Sequence, residues 1–372
     1  MFSLLNYVIL FVVLIILGIF YRRFEDKRIR QEERDNYETI RKYLLNSDSL
    51  GDNKKPIIWI HVPYEYNSRN WISFYSRSSF DLNQPYLYLT VKSIIQHCKE
   101  NFHICIIDDT SFEKLIPGWD IDLSVVANPI SDNIRKIALT KLIYNYGGMI
   151  VPISFLCLRN LMPLYEKGIR NDKMFICENI DRNITSTTQN FYPDIRFMGA
   201  NAENETVKEL IDFMQRTTST DYTDQSVFLG DFNRWCNTRI GRGKINLIDG
   251  IDIGTKDMNK QQILVEHLLG QDFIDLYPQA YGIYIPADEI LNRRQYEWFA
   301  RMSPTQIIQG NMIISKYIIL ANVAGSNGGV IEPLENRPNW VSFWKVPSGA
   351  PLWGIKPNFL GDNLIQMKYP DN

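Results

Sequence analysis

The pattern of apolar and polar positions divides the chain into an apolar start, a charged stretch and a long body. Residues 1–20 carry no charged side chain, and about 19 residues at about 1.5 Å each form a helix of about 28 Å. That length nearly spans the hydrocarbon core of a bilayer. A cleaved signal peptide is less favoured, because the flanking Tyr21-Arg22-Arg23 lacks a small-residue cleavage site. We therefore predict a transmembrane anchor over residues 1–21.

The positions after the apolar start predict a stalk and an orientation. Residues 22–46 mix Arg, Lys, Glu and Asp as a charged helix does, and turn-forming residues follow as far as residue 54. Basic residues follow the apolar segment and none precedes it, so the positive-inside rule places the body on the cytoplasmic side. The prediction is a single-pass membrane protein with a stalk and linker over residues 22–54.

From Lys55 onward, short apolar runs typical of strands alternate with stretches that have helical spacing. Strands are predicted over residues 56–62, 102–109 and 149–158, and helices over residues 87–98 and 131–148. Ser131 or Asp132 is the expected N-cap of the last helix, and Gly147 and Gly148 are its expected end. This alternation predicts an α/β fold with a mostly parallel sheet, whose ligands bind outside the carboxyl ends of the strands.

Composition narrows the classes of function. The 372 residues include 45% apolar and 22% charged side chains, with a formal charge of −2, which is an ordinary globular mixture. Proteins that bind nucleic acid usually carry a basic surplus, so we expect no nucleic-acid partner. The five Cys match no zinc-site spacing, and we expect buried free thiols. The joint abundance of Ile and Asn is typical of AT-rich genomes, such as those of large DNA viruses or protists.

Several short motifs occur in a characteristic order between residues 55 and 270. A strand with an aromatic residue and a His near its end comes first, and a strand that ends in two carboxylates follows. A helix of the form D-x-x-R-x-x-x-L then leads into Y-G-G and another strand. The matching residues are Trp59, His61, Asp108, Asp109, Asp132, Arg135, Leu139, Tyr146, Gly147 and Gly148. In this order of motifs the chain resembles the family-32 glycosyltransferases, enzymes with a DXD sugar-binding motif on a GT-A fold.

The resemblance implies a GT-A-like (Rossmann-like) domain over residues 55–282, with residues 283–372 as an extension that completes or covers it. It also implies a binding site for a nucleotide-sugar donor. The residues given a donor-binding role in this way are Trp59, His61, Asp132, Arg135, Gly147 and Gly148. Family members often close the donor site with a carboxy-terminal segment that carries Ser and Trp, which gives Trp344 the same role. An active member would be a hexosyltransferase.

One departure from the family pattern concerns the metal site. Counted from the glycine pair, the two Asp positions of the DXD motif fall on Pro152 and Ser154. In the family these carboxylates hold Mn²⁺ or Mg²⁺, which neutralises the diphosphate of the donor. Proline offers no ligand, and a Ser hydroxyl is a poor one for a hard dication. We therefore expect no metal cofactor unless a site exists elsewhere, for which Asp108 and Asp109 are weak candidates.

These features leave different functions open. In the first, the chain is a catalytically degenerate transferase whose domain binds a protein partner or a glycan, or has a structural role at a membrane. In the second, it is an active transferase that works without metal and uses Arg135, Lys136 or a residue of the carboxy-terminal segment against the diphosphate of a nucleotide-sugar. In the third, an unrelated α/β protein carries the helix–glycine block by chance. Simpler roles also fit single residues: Asp132 can cap its helix, and Arg135 can form a surface salt bridge.

Overall fold

The structure, a computed structural model, describes residues 17–21, 23, 55–62, 84–126, 130–179, 193–220 and 225–322. The chain divides into two compact units, Met1–Asn46 and Ser47–Asn372. Within the described ranges, no helix is both long and apolar enough to cross a membrane. Residues 1–16 of the predicted anchor, all of the predicted stalk except Arg23, and Trp344 lie outside the described residues.

A six-stranded sheet forms the centre of the second unit. Its strands are β1 (Ile57–His61), β2 (His103–Ile107), β3 (Gly148–Ile150), β5 (Met174–Glu178), β6 (Pro193–Ala200) and β7 (Ile245–Ile248), in the order β2-β1-β3-β6-β5-β7. β1 pairs in parallel with β2 and β3, and β5 pairs in parallel with β7. β6 runs antiparallel to both of its neighbours. The predicted α/β class with a mostly parallel sheet is confirmed.

The central strands are apolar on both faces because helices and loops cover them. Four of the five residues of β1 are buried, and so are all five residues of β5. Such continuous apolar runs are typical of strands in a sheet that is covered on both sides. The strand predicted over residues 56–62 is thus confirmed as β1, and the strand predicted over residues 102–109 is confirmed as β2.

Between residues 84 and 322, the described part of the chain contains eleven helices of four or more residues. They are α1 (Leu87–Cys98), α2 (Ser111–Leu115), α3 (Ile130–Tyr146), α4 (Met162–Gly168), α5 (Glu205–Thr220), α6 (Gln225–Gly241), α7 (Val265–Leu269), α8 (Ala287–Asn292), α9 (Glu297–Ala300), α10 (Pro304–Ile308) and α11 (Ile313–Asn322). The bounds of α1 match the prediction at both ends. The N-cap prediction for Ser131 or Asp132 is wrong, because α3 already begins at Ile130. Asp132 instead forms an ion pair with Lys136 one turn later.

The glycine pair between α3 and β3 turns the chain as predicted. Gly147 has φ +71° and Gly148 has φ +91°, which are conformations that other residues rarely adopt. A Cβ atom on Gly148 would lie 2.2 Å from the carbonyl oxygen of Ile57 in β1. Two requirements therefore select glycine at this corner, namely the backbone conformation and the close approach of the neighbouring strand.

The single strand predicted over residues 149–158 is wrong. The segment forms two short strands, β3 and β4 (Phe155–Cys157), which belong to different sheets. Pro152 lies between them, and proline has no N–H group to continue the hydrogen-bond ladder. β4 pairs antiparallel with β8 (Gly282–Tyr284), so the boundary placed after residue 282 falls within β8.

A cluster of buried apolar residues connects the carboxy-terminal helices with α1 and β4. It includes Leu87 of α1, Leu156 of β4, Ile283 of β8, Phe299 of α9 and Ile314 of α11. The two strands of the small sheet therefore lie inside a core to which residues 263–321 contribute most of the side chains. The carboxy-terminal helices are part of the same folded body as the region around β4.

The cysteines are free and buried, as the sequence predicts. The set comprises Cys98, Cys105, Cys157, Cys177 and Cys236. Burial raises the pKa of the Cys105 thiol to about 12, so it stays protonated at neutral pH. The Sγ atoms of Cys98 in α1 and Cys157 in β4 lie 3.9 Å apart, which is a non-bonded contact.

Candidate functional site

A cleft lies at the edge of the large sheet where the parallel strands β1 and β3 end. Its lining comprises His61, Asp132, Arg135, Lys136, Leu139, Ile150, Val151, Pro152, Ile153, Ser154, Arg196, Tyr284, Ala287 and Asp288. Because β6 runs antiparallel, its amino end with Asp194 and Arg196 lies at this same edge. The location agrees with the expectation that ligands of such folds bind outside the carboxyl ends of the parallel strands.

Several residues singled out from the sequence meet in this cleft. His61, Asp132 and Arg135 line it, together with Pro152 and Ser154. The helix α3 supplies Asp132 and Arg135 from its first two turns, and the end of β1 supplies His61. The sequence thus identified five lining residues from three separate segments of the chain.

Asp109 does not line the cleft, but its carboxylate contacts two of these lining residues. His61 Nε2 lies 2.8 Å from Asp109 Oδ1. Arg135 donates from Nε to both carboxylate oxygens at 3.0 Å and from Nη2 to Oδ2 at 2.8 Å. Burial alone would raise the pKa of Asp109, but the hydrogen bonds from His61 and Arg135 outweigh it and lower that pKa. Asp109 is therefore ionised at neutral pH and fixes the orientation of both partners.

Asp108 has a different role from its neighbour. Its Oδ1 accepts hydrogen bonds from the backbone N–H of Ser111 at 2.9 Å and from the Ser111 hydroxyl at 2.6 Å. Thr110 Oγ1 donates to the same oxygen at 2.8 Å. These contacts support the start of α2 and lower the pKa of Asp108 despite the opposing effect of burial. Both carboxylates that were weak metal-ligand candidates are thus engaged by protein donors.

The remaining lining charges form two further groups of ion pairs. Lys136 Nζ lies 2.7 Å from Asp132 Oδ2, and this pairing lowers the pKa of Asp132 against the effect of its burial. Arg196 donates to Asp194 Oδ2 from Nη2 at 2.9 Å and from Nε at 3.1 Å, and it also donates from Nη1 to Asp288. The proximity of Asp194 raises the pKa of Arg196 well above its usual value.

Asp194, Arg196, Tyr284 and Asp288 are site residues that the sequence analysis missed. Arg196 and Asp288 are 92 positions apart and meet only because α8 follows β8 towards the amino end of β6. One local signal was present: Asp194 and Arg196 are two residues apart on a strand, so their side chains share one face. Asn179 supports Asp194 from the end of β5, with Nδ2 donating to Oδ2 at 2.9 Å.

The charged side chains described in and around the cleft have a negative formal sum. Three cations (Arg135, Lys136 and Arg196) meet four carboxylates (Asp109, Asp132, Asp194 and Asp288). Each of these cations has at least one carboxylate partner within ion-pair distance. In the part of the chain that the structure describes, no group of three His, Cys, Asp or Glu residues could hold a metal ion. Each of the four carboxylates already has a protein cation as its partner, which reduces what it can offer to a hard dication.

Other residues with a predicted donor-binding role lie outside the lining of the cleft. Trp59 is fully buried, and its indole N–H donates to the carbonyl oxygen of Gly147 at 3.0 Å. Its ring also packs against Tyr146, with 5.7 Å between the centroids. Gly147 and Gly148 form the corner described above. These contacts give all three residues a structural role in joining β1 to the end of α3, and donor contact stays a prediction.

Two solved structures of the glycosyltransferase GlyE from Streptococcus pneumoniae TIGR4 are weakly similar to parts of this chain. One shares 11% identity over 75% of this chain and 67% of that chain, with a TM-score of 0.37. The apo form shares 9% identity over 54% of this chain and 46% of that chain, or about half its length, with a TM-score of 0.31. No family model and no curated protein matches the sequence.

Proposed function

We propose that this chain is a glycosyltransferase-like protein whose cleft binds a sugar-containing ligand without a divalent metal and does not transfer the sugar. The observation that carries the proposal is the ion-paired lining beside Pro152 and Ser154. A transferase must neutralise the charge that develops on a leaving diphosphate, either with a metal or with available cations. By the sequence resemblance Pro152 and Ser154 stand where the DXD carboxylates would be, and the described cations of the cleft are paired with aspartates.

The cleft is suited to a polar ligand. Asp132 and Asp288 are partly exposed, with side-chain exposures of 38% and 68%, and each can accept hydrogen bonds from hydroxyl groups. Guanidinium and ammonium groups beside them supply donors. Paired donors and acceptors of this kind match a sugar ring, whose hydroxyls both donate and accept. Leu139 and Ile150 add apolar surface against which a ring face can pack.

The second candidate function is an active, metal-independent transferase, and one observation favours it. Arg135, Lys136 and Arg196 come from two different elements and line the same cleft. A ligand diphosphate could compete with the carboxylates for these cations. The Arg135→Ala variant is a poor test of this candidate, because it also removes the partner that keeps Asp109 charged and ordered. Lys136→Gln is the better variant, since Asp132 is more exposed to water than Asp109.

The proposal is tested by titrating the full chain with sugars and nucleotide-sugars in the presence of either Mn²⁺ or EDTA. We expect sugar binding with the same Kd in both conditions, and no release of nucleotide from UDP-glucose, UDP-galactose or GDP-mannose. Binding of no sugar ligand at all would refute the proposal. Sugar release or transfer in EDTA that Lys136→Gln abolishes would establish the second candidate instead.

The membrane anchor is a separate part of the proposal. It is supported by the uncharged residues 1–20 of the sequence and by the basic residues that follow them. In sealed vesicles, a protease added outside should cleave the body when it faces outward and leave it intact when it faces the lumen. A body that stays in the supernatant after carbonate extraction and centrifugation would contradict the anchor.

A further inference from the structure

The hydroxyl of Ser154 lies at the surface of the cleft and makes no hydrogen bond to the residues that the structure describes. Ser154 is only 3% exposed, yet it lines the cleft. Its backbone carbonyl accepts a hydrogen bond from Ile285 N–H at 3.2 Å, and no described residue bonds to its hydroxyl. The hydroxyl oxygen is not among the fully buried unpaired polar atoms of the described residues, so a ligand or water in the cleft can bond to it. The group is therefore available to a ligand that enters the cleft.

The guanidinium of Arg196 offers further unused donors to the same cleft. It has five N–H groups, of which Asp194 and Asp288 accept from Nε, one N–H of Nη2 and one N–H of Nη1. Two N–H groups remain, one on each terminal nitrogen. The side chain is 40% exposed, so a ligand can reach these groups. Because two carboxylates hold the guanidinium, its remaining donors have a fixed direction.

The charge around Arg196 disfavours an anionic ligand. One guanidinium is held by two carboxylates, Asp194 and Asp288, which leaves this part of the cleft with a negative formal charge. A phosphoryl group placed there would be repelled by the aspartates at close range. An uncharged hydroxyl meets no such penalty, and it can accept a hydrogen bond from Arg196 while exchanging one with Ser154.

From this arrangement, and given that the cleft binds sugars as proposed above, we infer that Ser154 and Arg196 form a subsite for the hydroxyl groups of an uncharged sugar. The subsite selects a neutral glycan over the nucleotide-sugar that carries the same ring. Ser154 supplies the donor and acceptor at one side, and Arg196 supplies two fixed donors at the other. Asp288 sets the selectivity by keeping the local charge negative.

The test compares matched ligands and matched variants of the full chain. The probes are the methyl glycosides of glucose, galactose and mannose, each paired with UDP-glucose, UDP-galactose or GDP-mannose, and titrated at low ionic strength. We expect the wild type to bind at least one methyl glycoside more tightly than its nucleotide-linked counterpart. Ser154→Ala should weaken that glycoside about threefold to tenfold, the size of one lost hydrogen bond. Its Tm should stay unchanged or rise, because the hydroxyl bonds to no residue of the described ranges.

Asp288→Asn is expected to shift the selectivity of the cleft from the methyl glycoside towards the nucleotide-linked sugar. Removing one negative charge should tighten the nucleotide-linked sugar about threefold, with a smaller gain at high salt, and leave the methyl glycoside within about twofold. Glu100→Gln removes an exposed carboxylate outside the cleft and should change neither affinity. Ser93→Ala is the control for Ser154, because its buried hydroxyl bonds to Thr90 and Cys157 outside the cleft. It should lower Tm and leave affinity unchanged.

The outcomes separate this inference from the function on which it rests. If no probe of either charge binds, both the proposed function and the subsite are refuted. If sugars bind but every nucleotide-linked sugar binds more tightly than its methyl glycoside, only the subsite is refuted. The same holds if Ser154→Ala leaves the affinity for the preferred glycoside unchanged.

Discussion

Asp109 orders the base of the cleft with one carboxylate that contacts two different elements. It bonds to His61 at the end of β1 and to Arg135 in α3. Arg135 and Asp109 have side-chain exposures of 10% and 14%, so water screens this pair little. Removing one partner of such a pair leaves the other charge partly buried and unpaired. Loss of the contacts of Asp109 should therefore lower the free energy of unfolding of the domain.

Asp109→Asn should lower the free energy of unfolding by about 2–3 kcal/mol at pH 7. The pKa of Asp109 is lower in the folded chain than in the unfolded one, so its contribution is fully present above about pH 4. That contribution is lost as the pH falls through the folded-state pKa, because the unfolded state takes up its proton first. Urea titrations between pH 7 and pH 3 measure both effects.

The pH dependence distinguishes this role from a general loss of packing. The difference in unfolding free energy between wild type and Asp109→Asn should shrink as the pH falls below about 4. Asp120→Asn serves as the control, because Asp120 is exposed. A difference that stays constant over the whole pH range would contradict an electrostatic role for Asp109.

A residue of the cleft could be predicted from the sequence only where it belonged to a recognisable local motif. His61, Asp132 and Arg135 were found because they match the order of motifs along the chain. Arg196 and Asp288 could not be found, since their contact depends on the antiparallel direction of β6 and on the position of α8. Asp109 was weighed as a metal ligand, and its partners became apparent only once β1, β2 and α3 were placed together.

At the scale of elements, the corner between α3 and β3 is the most constrained connection described. Gly148→Ala should destabilise the fold by about 3 kcal/mol or more. The new Cβ would lie 2.2 Å from Ile57 O, and alanine rarely adopts a φ of +91°. Chemical denaturation of the variant and the wild type measures the difference.

Gly241→Ala provides the matched control for that substitution. Gly241 ends α6, and a Cβ added there meets no atom within 4 Å. The variant should be neutral or more stable by about 0.5–1 kcal/mol, the usual gain of alanine over glycine in a helix. Equal effects of the two substitutions would show that the corner tolerates a side chain.

The ends of an element could be predicted from the sequence where apolar residues recurred at regular spacing over its whole length. Helix α1 was predicted at both ends because its spacing is regular from Leu87 to Cys98. The segment behind the glycine pair was harder, since an apolar run does not reveal which sheet each half joins. Pro152 was the available sign of a break, and the partner strand β8 lies more than a hundred residues further along the chain.

At the scale of the whole molecule, all five thiols are enclosed by the fold. We predict that the native chain reacts with Ellman's reagent at none of them within minutes, because the reaction requires an exposed thiolate. The high pKa of Cys105, about 12, adds to the protection given by burial. In guanidinium chloride all five should react. Rapid labelling of one or more thiols in the native protein would contradict the described packing.

The pairing of β4 with β8 has a practical consequence for anyone who shortens this gene for expression. A stop codon after residue 282 would retain β4 and delete most of its partner strand, together with the helices that cover Leu156. The exposed strand edge would then be free to associate with other copies, and such a fragment should form inclusion bodies. Truncations that end beyond Asn322 keep the small sheet and its covering helices together.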